Sequence, residues 1–291
     1  MRVHRGWIEP VMPVPYVPAV GPVHPDDPVA DLFAAGVETA GIGRVLPYDK
    51  DRRWSDTKTE RVLTDAIEHD QRQTLIPTLV ERGAGTVQVH VYGAAPDNLS
   101  AGADLARKLA AAHGAPRLAS SGSSTPISPR YAHGVGTRVQ LKGFGTRPGK
   151  APAAPVHEYK QLPEDLRPDF ATFAEQMVAD GFAFLYEQMP AGTVGPVLTV
   201  LHEGHVAGAT RPMETMTDPS GAARPLPQYF EVLPQRRGMA MAGPLWRAAM
   251  HWGHQHGAAY QLLQIEVGGA SDRLCATEGL TSLGFVNQKD V

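Results

Sequence analysis

The chain has 291 residues, about twice the ~150 of a typical domain, so two domains are expected. Hydrophobic residues make up 42% and charged residues 20%, an ordinary balance for packed cores, and 27 Lys plus Arg stand against 30 Asp plus Glu. The resulting net charge of −3 argues against a whole-surface affinity for nucleic acid or anionic membrane, and the single Cys275 excludes an internal disulfide framework and a cysteine-built zinc site.

Seven prolines fall within the first 30 residues, and proline fixes φ and lacks an N–H. Residues 1–30 are therefore expected to form an extended arm with apolar handles at Trp7, Ile8, Val11, Val14 and Tyr16. The opening Met1-Arg2-Val3-His4-Arg5 leads into this arm and not into the apolar core of a secretory signal. No apolar run approaches the ~20 residues that span a bilayer. A cytoplasmic protein without membrane partners is the expectation. Between Ser55 and Arg82 the composition predicts helix, split or kinked at Pro77 and stopped by Gly83. Thr86–Tyr92 alternates as a strand does, and a helix capped by Asp97 or Asn98 runs to His113. Residues 114–156 are rich in Gly, Ser and Pro, with one strand-like island at Thr137–Leu141. The segment 145–155 reads as a linker.

The second half is expected to begin with a strand at Val156–Leu162 and a helix from Glu164 to Gly181. Val197–Leu201 and Val206–Thr210 follow as strands joined by the turn His202-Glu203-Gly204-His205. A strand Gln228–Leu233 runs into Pro234-Gln235-Arg236-Arg237-Gly238 and a long helix to His256. A strand Leu262–Val267, a helix Ser271–Leu280 and a strand from Phe285 complete the order.

The segment Tyr229–Ala242 carries the chemistry. A strand running through a short glycine loop into a helix leaves several N–H groups without intrahelical partners, at the positive end of the helix dipole. Such a loop suits a phosphate or pyrophosphate: Gly238 admits an anion close to the backbone, Arg236 and Arg237 add charge, and Ala240 and Ala242 keep the first turn uncrowded. The alternative is an ordinary strand–helix connection with surface arginines, since neither the Rossmann nor the Walker glycine pattern is present.

Gln235-Arg236-Arg237-Gly238-Met239-Ala240, following the Val-x-Pro strand end, resembles the Q/R-x-x-G-x-G/A signature of the GNAT acyltransferase superfamily. Leu263–Val267 resembles that family's next core strand, Ala270–Phe285 its helix ending in a Gly-Phe pair, and Val206-Ala207-Gly208-Ala209 its central strands. The resemblance implies an α/β (α+β) fold with two GNAT-like mixed-sheet domains. These are a degenerate or structural domain over 31–144 and an acyltransferase domain over 156–291, complete with splayed central strand and pyrophosphate loop. It also implies acetyl-CoA or another acyl-CoA as co-substrate, and a small-molecule amine that attacks the thioester directly. The implied cofactor-binding set is Val232, Leu233, Gln235, Arg236, Arg237, Gly238, Met239, Ala240, Met241 and Arg273, with an N–H near Val232 or Leu233 stabilising the tetrahedral intermediate. Glu231 is the candidate general base, with Tyr229 and Gln228 as alternatives, against the plain reading of a surface carboxylate paired with an arginine. Glu203, in the hairpin turn, is expected to be exposed.

The sequence departs from the family pattern at Leu280, which stands where many members place a tyrosine that protonates the departing thiolate, and at Ser271-Asp272-Arg273, which replaces a common Asn. Cys275 is read as a half-buried apolar residue. No metal site is expected: His251, His254 and His256 suit a helix C-terminus, and His202-Glu203-Gly204-His205 is one residue short of a zinc helix motif. Arg130, Arg138, Lys142, Arg147 and Lys150 form a loose basic set read as a solvated loop.

The first half has the same element order as a second copy of the family's C-terminal half, but His69–Thr74, at the expected pyrophosphate loop, has no glycine, so this half is read as structural or substrate-covering, with an unrelated α/β domain as the alternative. Two alternative functions remain open. One is a GNAT-fold transferase that takes its acyl group from aminoacyl-tRNA, motivated by Leu280; the other is a non-catalytic CoA-binding module.

Overall fold

The computed structural model describes residues 14–53, 55–81, 85–93, 98–124, 135–145, 152, 155–190, 195–211, 214–226 and 229–290. The elements in chain order are β1 (Tyr16–Val17), β2 (Gly21–Pro22), α1 (Val29–Gly41), β3 (Glu60–Val62), β4 (Glu68–His69), β5 (Thr74–Val80), β6 (Thr86–Tyr92), α2 (Asn98–His113), β7 (Arg117–Ser124) and β8 (Val135–Gly143). They continue as β9 (His157–Glu158), α3 (Arg167–Gln176), α4 (Phe182–Gln188), β10 (Leu198–His202), β11 (His205–Arg211), β12 (Thr215–Thr217), β13 (Ala223–Pro225) and β14 (Tyr229–Val232). The last four are α5 (Ala242–Gln255), β15 (Tyr260–Glu266), α6 (Ala270–Thr277) and β16 (Thr281–Asp290). The chain divides into unit 1, which runs to Leu141 and resumes at Leu262, and unit 2, Lys142–Gln261. Among the described residues no helix is long and apolar enough to cross a membrane.

Unit 1 is built on a mixed sheet in the order β15-β8-β16-β7-β6-β5-β3, with β4 also paired to β5. β6 and β7 run parallel, joined through α2, whereas β7–β16, β16–β8, β6–β5, β5–β3 and β5–β4 run antiparallel. β6 alternates as its sequence does. Val87, Val89 and Val91 face α2 with Leu75, Leu105 and Leu109. Tyr92 and Ile76 face the other way, into the core that α1 completes with Leu32, Phe33 and Val37.

Three sequence expectations change here. Of the region Ser55–Arg82, the described residues form no α-helix, only a 3₁₀ turn at Thr64–Ala66, and supply β3, β4 and β5. Leu75 and Ile76 are both fully buried, one on each face, so β5 reads as an apolar run without the alternation that marks a half-buried strand. Pro77 sits in this strand, and its carbonyl accepts the Leu63 N–H at 2.9 Å. β7 lies in the stretch read as loop; its serines and glycine form a strand because β6 and β16 supply pairing on both sides. Of the expected extended arm, residues 14–28 form the short β1–β2 hairpin before α1 begins at Val29, while Trp7, Ile8 and Val11 lie outside the described residues. Gly83, Asp97, Gln228, Arg130, Arg147, Lys150 and most of 145–155 also lie outside them.

The domain division differs from the sequence reading as well. Residues from Leu262 onward group with the first half, so the expected C-terminal domain 156–291 is divided between the two units. The physical reason is pairing: β16 lies between β7 and β8, its ladder running from Phe285 to Asp290 along β7. The strand–helix–strand of unit 1 is β6–α2–β7. His69–Thr74 is instead the β4–β5 connection.

A polar row crosses the α1 face of this sheet. His90 Nδ1 lies 3.1 Å from Ser121 Oγ, and Gln88 Nε2 donates to the same oxygen at 3.1 Å. His90 Nε2 stands 3.5 Å from Glu60 Oε1. Burial alone pushes the Glu60 carboxyl up, but His90, the Thr78 hydroxyl and Lys58 more than offset it, and Glu60 titrates below the ordinary glutamate range. A depressed carboxylate contributes stability that is present above its unfolded pKa of roughly 4.3 and is lost as pH falls through the folded value. The stability advantage of wild type over Glu60→Gln in urea titrations is therefore expected to shrink as pH is lowered from about 6 to 3. A pH-independent difference would remove Glu60 from the acid response.

Unit 2 carries a four-stranded sheet in the order β14-β11-β10-β9. Phe170, Phe173, Phe182 and Leu185 of α3 and α4 pack with Val206, Ala209 and Leu233. Val200, Val232 and Leu245 form a second cluster that includes α5, with Phe230 against it. The β10–β11 hairpin closes as its turn residues predict: Glu203 and Gly204 both take positive φ (53° and 80°), the pattern of a two-residue type I′ turn.

Candidate functional site

β14 is an edge strand of the unit 2 sheet. Its ladder to β11 pairs Tyr229 with Arg211 and Val232 with Gly208, and the Leu233 N–H closes it on Ala207 O at 2.9 Å. Because amide directions alternate along a strand, the Leu233 amide points into the sheet and the Val232 amide points to the open edge.

At that edge three of the predicted residues meet. Arg237 Nε donates to Val232 O at 3.2 Å and its Nη2 to Glu231 Oε2 at 3.1 Å. The same Glu231 oxygen accepts the Val232 N–H at 3.3 Å. The arginine and the carboxylate thus bond both edge-facing backbone groups of Val232. Glu231 is neither a free carboxylate nor a plain surface residue: 27% of its side chain is exposed and it is bound to the strand edge.

Beyond the strand, a single 3₁₀ turn (Pro234–Arg236) turns the chain toward α5. Gly238 takes φ +85° with open space where a Cβ would stand, and Ala240 takes φ +58°. Met239 is exposed, and Met241, at the N-cap of α5, makes no side-chain cap. Ala242 and Gly243 then begin the helix with amides that have no intrahelical partner by geometry, and the first helical bond comes from Leu245 N–H to Met241 O. The loop therefore offers donors at a helix start with no side chain of its own capping them.

The two arginines diverge. Arg236 pairs with Glu203 at 3.2 Å, across the hairpin turn, and Glu203 is exposed as expected. Gln235 Nε2 donates to Gln176 Oε1 at 3.3 Å. Both line a cavity of about 180 Å³ with Asp169, Gln176, His202 and His205. Asp169 ties that wall together by accepting the Val206 N–H and standing 3.3 Å from His205 Nδ1. Tyr229, the alternative base, packs in the α3–α4 core with its ring 6.3 Å from Phe182. Sequence reasoning missed Asp169 and Gln176, because nothing in a helix three turns long marks which face meets a distant hairpin.

Arg273 lies in unit 1, where its Nη1 donates to Gly268 O at 2.6 Å. Its neighbour Asp272 is the busier residue: it accepts Arg138 Nε at 2.8 Å, Gln140 Nε2 at 3.0 Å and the Gly268 N–H at 2.9 Å. Burial would raise the Asp272 carboxyl, but these donors outweigh it and hold the group below the usual aspartate range. Asp272 thus anchors α6 to β8. Arg138 accordingly leaves the loose basic set for a defined ion pair. Cys275 is 2% exposed, and burial, with Asp272 and Glu278 nearby, pushes its thiol up to about 11, so it is a packed and unreactive residue. The histidines at the end of α5 serve local contacts: His254 Nε2 is 3.0 Å from Gly145 O and His256 Nδ1 is 2.8 Å from Trp252 O.

No protein-family model matches the chain, and no curated protein matches it either. Among solved structures, a GCN5-related N-acetyltransferase from Sphaerobacter thermophilus aligns at 14% identity over 87% of this chain and 93% of that one, with a TM-score of 0.49. A tandem GNAT protein from the clavulanic acid biosynthesis pathway aligns at 16% identity over 75% and 79%, TM-score 0.46. An acetyltransferase of the GNAT family from Colwellia psychrerythraea aligns at 10% identity over 91% and 97%, TM-score 0.44.

Proposed function

We propose that the protein is an N-acyltransferase that moves an acyl group, most simply acetyl, from acyl-CoA to the amine of a small molecule. One observation carries this reading: a strand edge at Val232 leads after six residues to a positive-φ glycine and after ten to a helix start without a side-chain cap. A pantetheine arm is an amide chain that can pair with such an edge, and a pyrophosphate suits the amides and dipole that follow it. In this reading Val232 N–H is the donor for the developing oxyanion, since the Leu233 amide is committed to Ala207. The amine nitrogen attacks the thioester carbonyl, the C–N bond forms, and the C–S bond breaks to release CoA as its thiolate. The ammonium loses one proton before attack, which the Glu231 carboxylate at the edge could take, and the nitrogen loses a second as the tetrahedral intermediate collapses, which the departing thiolate can take up.

The Glu231–Arg237 pair gives this scheme an order of events. Acyl-CoA competes with both side chains for the same Val232 groups, so binding must move Arg237 off the edge. That movement would free the Glu231 carboxylate and carry a guanidinium toward the phosphates. Calorimetric titration of the full chain with acetyl-CoA and with CoA tests the reading, followed by thiol-release assays over a panel of primary amines. Saturable binding with amine-dependent thiol release is expected. Absence of binding by both nucleotides would end the acyl-CoA reading and leave an aminoacyl-tRNA donor to be tested by salt-sensitive tRNA binding. Binding without release by any amine would favour a CoA-binding module.

A further inference from the structure

A cavity of about 390 Å³ opens in unit 2 apart from the loop, within the ~300–1,000 Å³ of small-ligand pockets. Its wall is mainly apolar, formed by Tyr159, Tyr186, Met189, Pro196 and Val197. The two tyrosines are fixed by the same neighbour: Phe170 lies 5.1 Å from the Tyr159 ring and 5.9 Å from that of Tyr186. Charges of both signs reach this apolar space, Glu158 and Glu187 on one side of the balance and Lys160 and Arg211 on the other. Arg211 is 1% exposed and held in place, its Nη1 donating to Leu185 O at 3.0 Å near the end of α4.

This lining discriminates among ligand classes. A neutral apolar molecule would fill the space but cover Glu158, Glu187 and Lys160 without replacing their hydration. A simple cation would gain from the two glutamates and be opposed by Arg211 and Lys160, and a simple anion would meet the reverse. A molecule with an apolar body and an ammonium and carboxylate together satisfies both halves of the lining. The place of the cavity in the strand pair adds a second argument. Arg211 is in register with Tyr229 at the start of β14, and Val232 lies three residues further along, about 10 Å at ~3.3 Å per residue.

We propose that this cavity binds a zwitterionic amino acid with an aromatic or branched aliphatic side chain. Its role as seat of the acyl acceptor rests on the acyltransfer reading above; the binding itself does not. Calorimetry on the full chain without acetyl-CoA, using L-phenylalanine and L-leucine, tests it. Phenethylamine and 3-phenylpropionate, each lacking one charge, serve as controls. Saturable binding of at least one amino acid is expected, with both controls weaker by about tenfold or more. Glu158→Gln, which keeps the shape of the side chain, is expected to weaken the amino acid about tenfold and leave 3-phenylpropionate unchanged. The proposal is overturned if neither amino acid binds, if a single-charge analogue binds as tightly, or if Glu158→Gln changes nothing. Acetyl-CoA titrated in parallel separates the two readings. Amino-acid binding alone keeps the site and removes its acceptor role, whereas acetyl-CoA binding alone keeps the acyltransfer reading and removes this site.

Discussion

Replacing Lys58 with Met is expected to destabilise the protein by about 3–5 kcal/mol, the usual cost of stripping one partner from a buried ion pair. Lys58 Nζ stands 2.7 Å from Asp49 Oδ2, and each side chain is only 2% exposed. The pair closes the segment between α1 and β3, where Lys58 N–H also reaches Gly43 O at 3.0 Å. Without the ammonium, the buried Asp49 carboxylate loses its cation at 2.7 Å and must stay charged, take up a proton, or pull the segment open to water. Each route costs stability, because desolvation of a charge is offset only by a partner held close. The double variant Asp49→Leu/Lys58→Met is expected to recover part of the loss, since an apolar pair carries no desolvation penalty but the Lys58 charge that also favours the Glu60 carboxylate is gone. Urea unfolding at neutral pH checks both. A loss below about 1 kcal/mol for Lys58→Met would show that water reaches the carboxylate and that the pair is not a structural requirement.

The second large effect is functional. Gly238→Asp is expected to weaken acetyl-CoA about 100-fold, or about 2.7 kcal/mol, with little change in folding. The backbone at 238 is left-handed, which Asp tolerates better than most residues, and nothing lies within 4 Å of the added Cβ. What the substitution adds is a negative charge and bulk at the point where an anion would approach the backbone. Gly238→Asn separates the two: it keeps the bulk without the charge, and a loss of about tenfold is expected. Calorimetric titration of the three proteins decides the matter. An Asp variant that binds as well as wild type would mean that the pyrophosphate does not use this loop.

The path of the loop was legible because its signals are local. Gly238 is needed where φ is positive, the Val-x-Pro strand end and the following helix are contiguous, and the hairpin at Glu203-Gly204 follows from two adjacent turn residues. Thr86–Tyr92 and Asn98–His113 were legible for a related reason, since period and termination are properties of neighbouring residues.

The rest depended on partners far away in the chain. β5 carries no alternation because α1 and α2 bury opposite faces of it, and β7 is a strand of small polar residues because β6 and β16 flank it. Glu231 was readable as a candidate base, and a surface carboxylate paired with a nearby arginine was the plain alternative. That Arg237 turns back to bond both it and the Val232 carbonyl, while Arg236 goes to Glu203, is fixed by the path of the loop. The 390 Å³ cavity draws on residues from 158 to 211, separated by two helices and a hairpin. Sequence by itself determined the elements whose signals lie within one turn or one strand. Tertiary structure decided which strands pair, which charges meet and where empty space remains, because those depend on what the folded chain brings into contact.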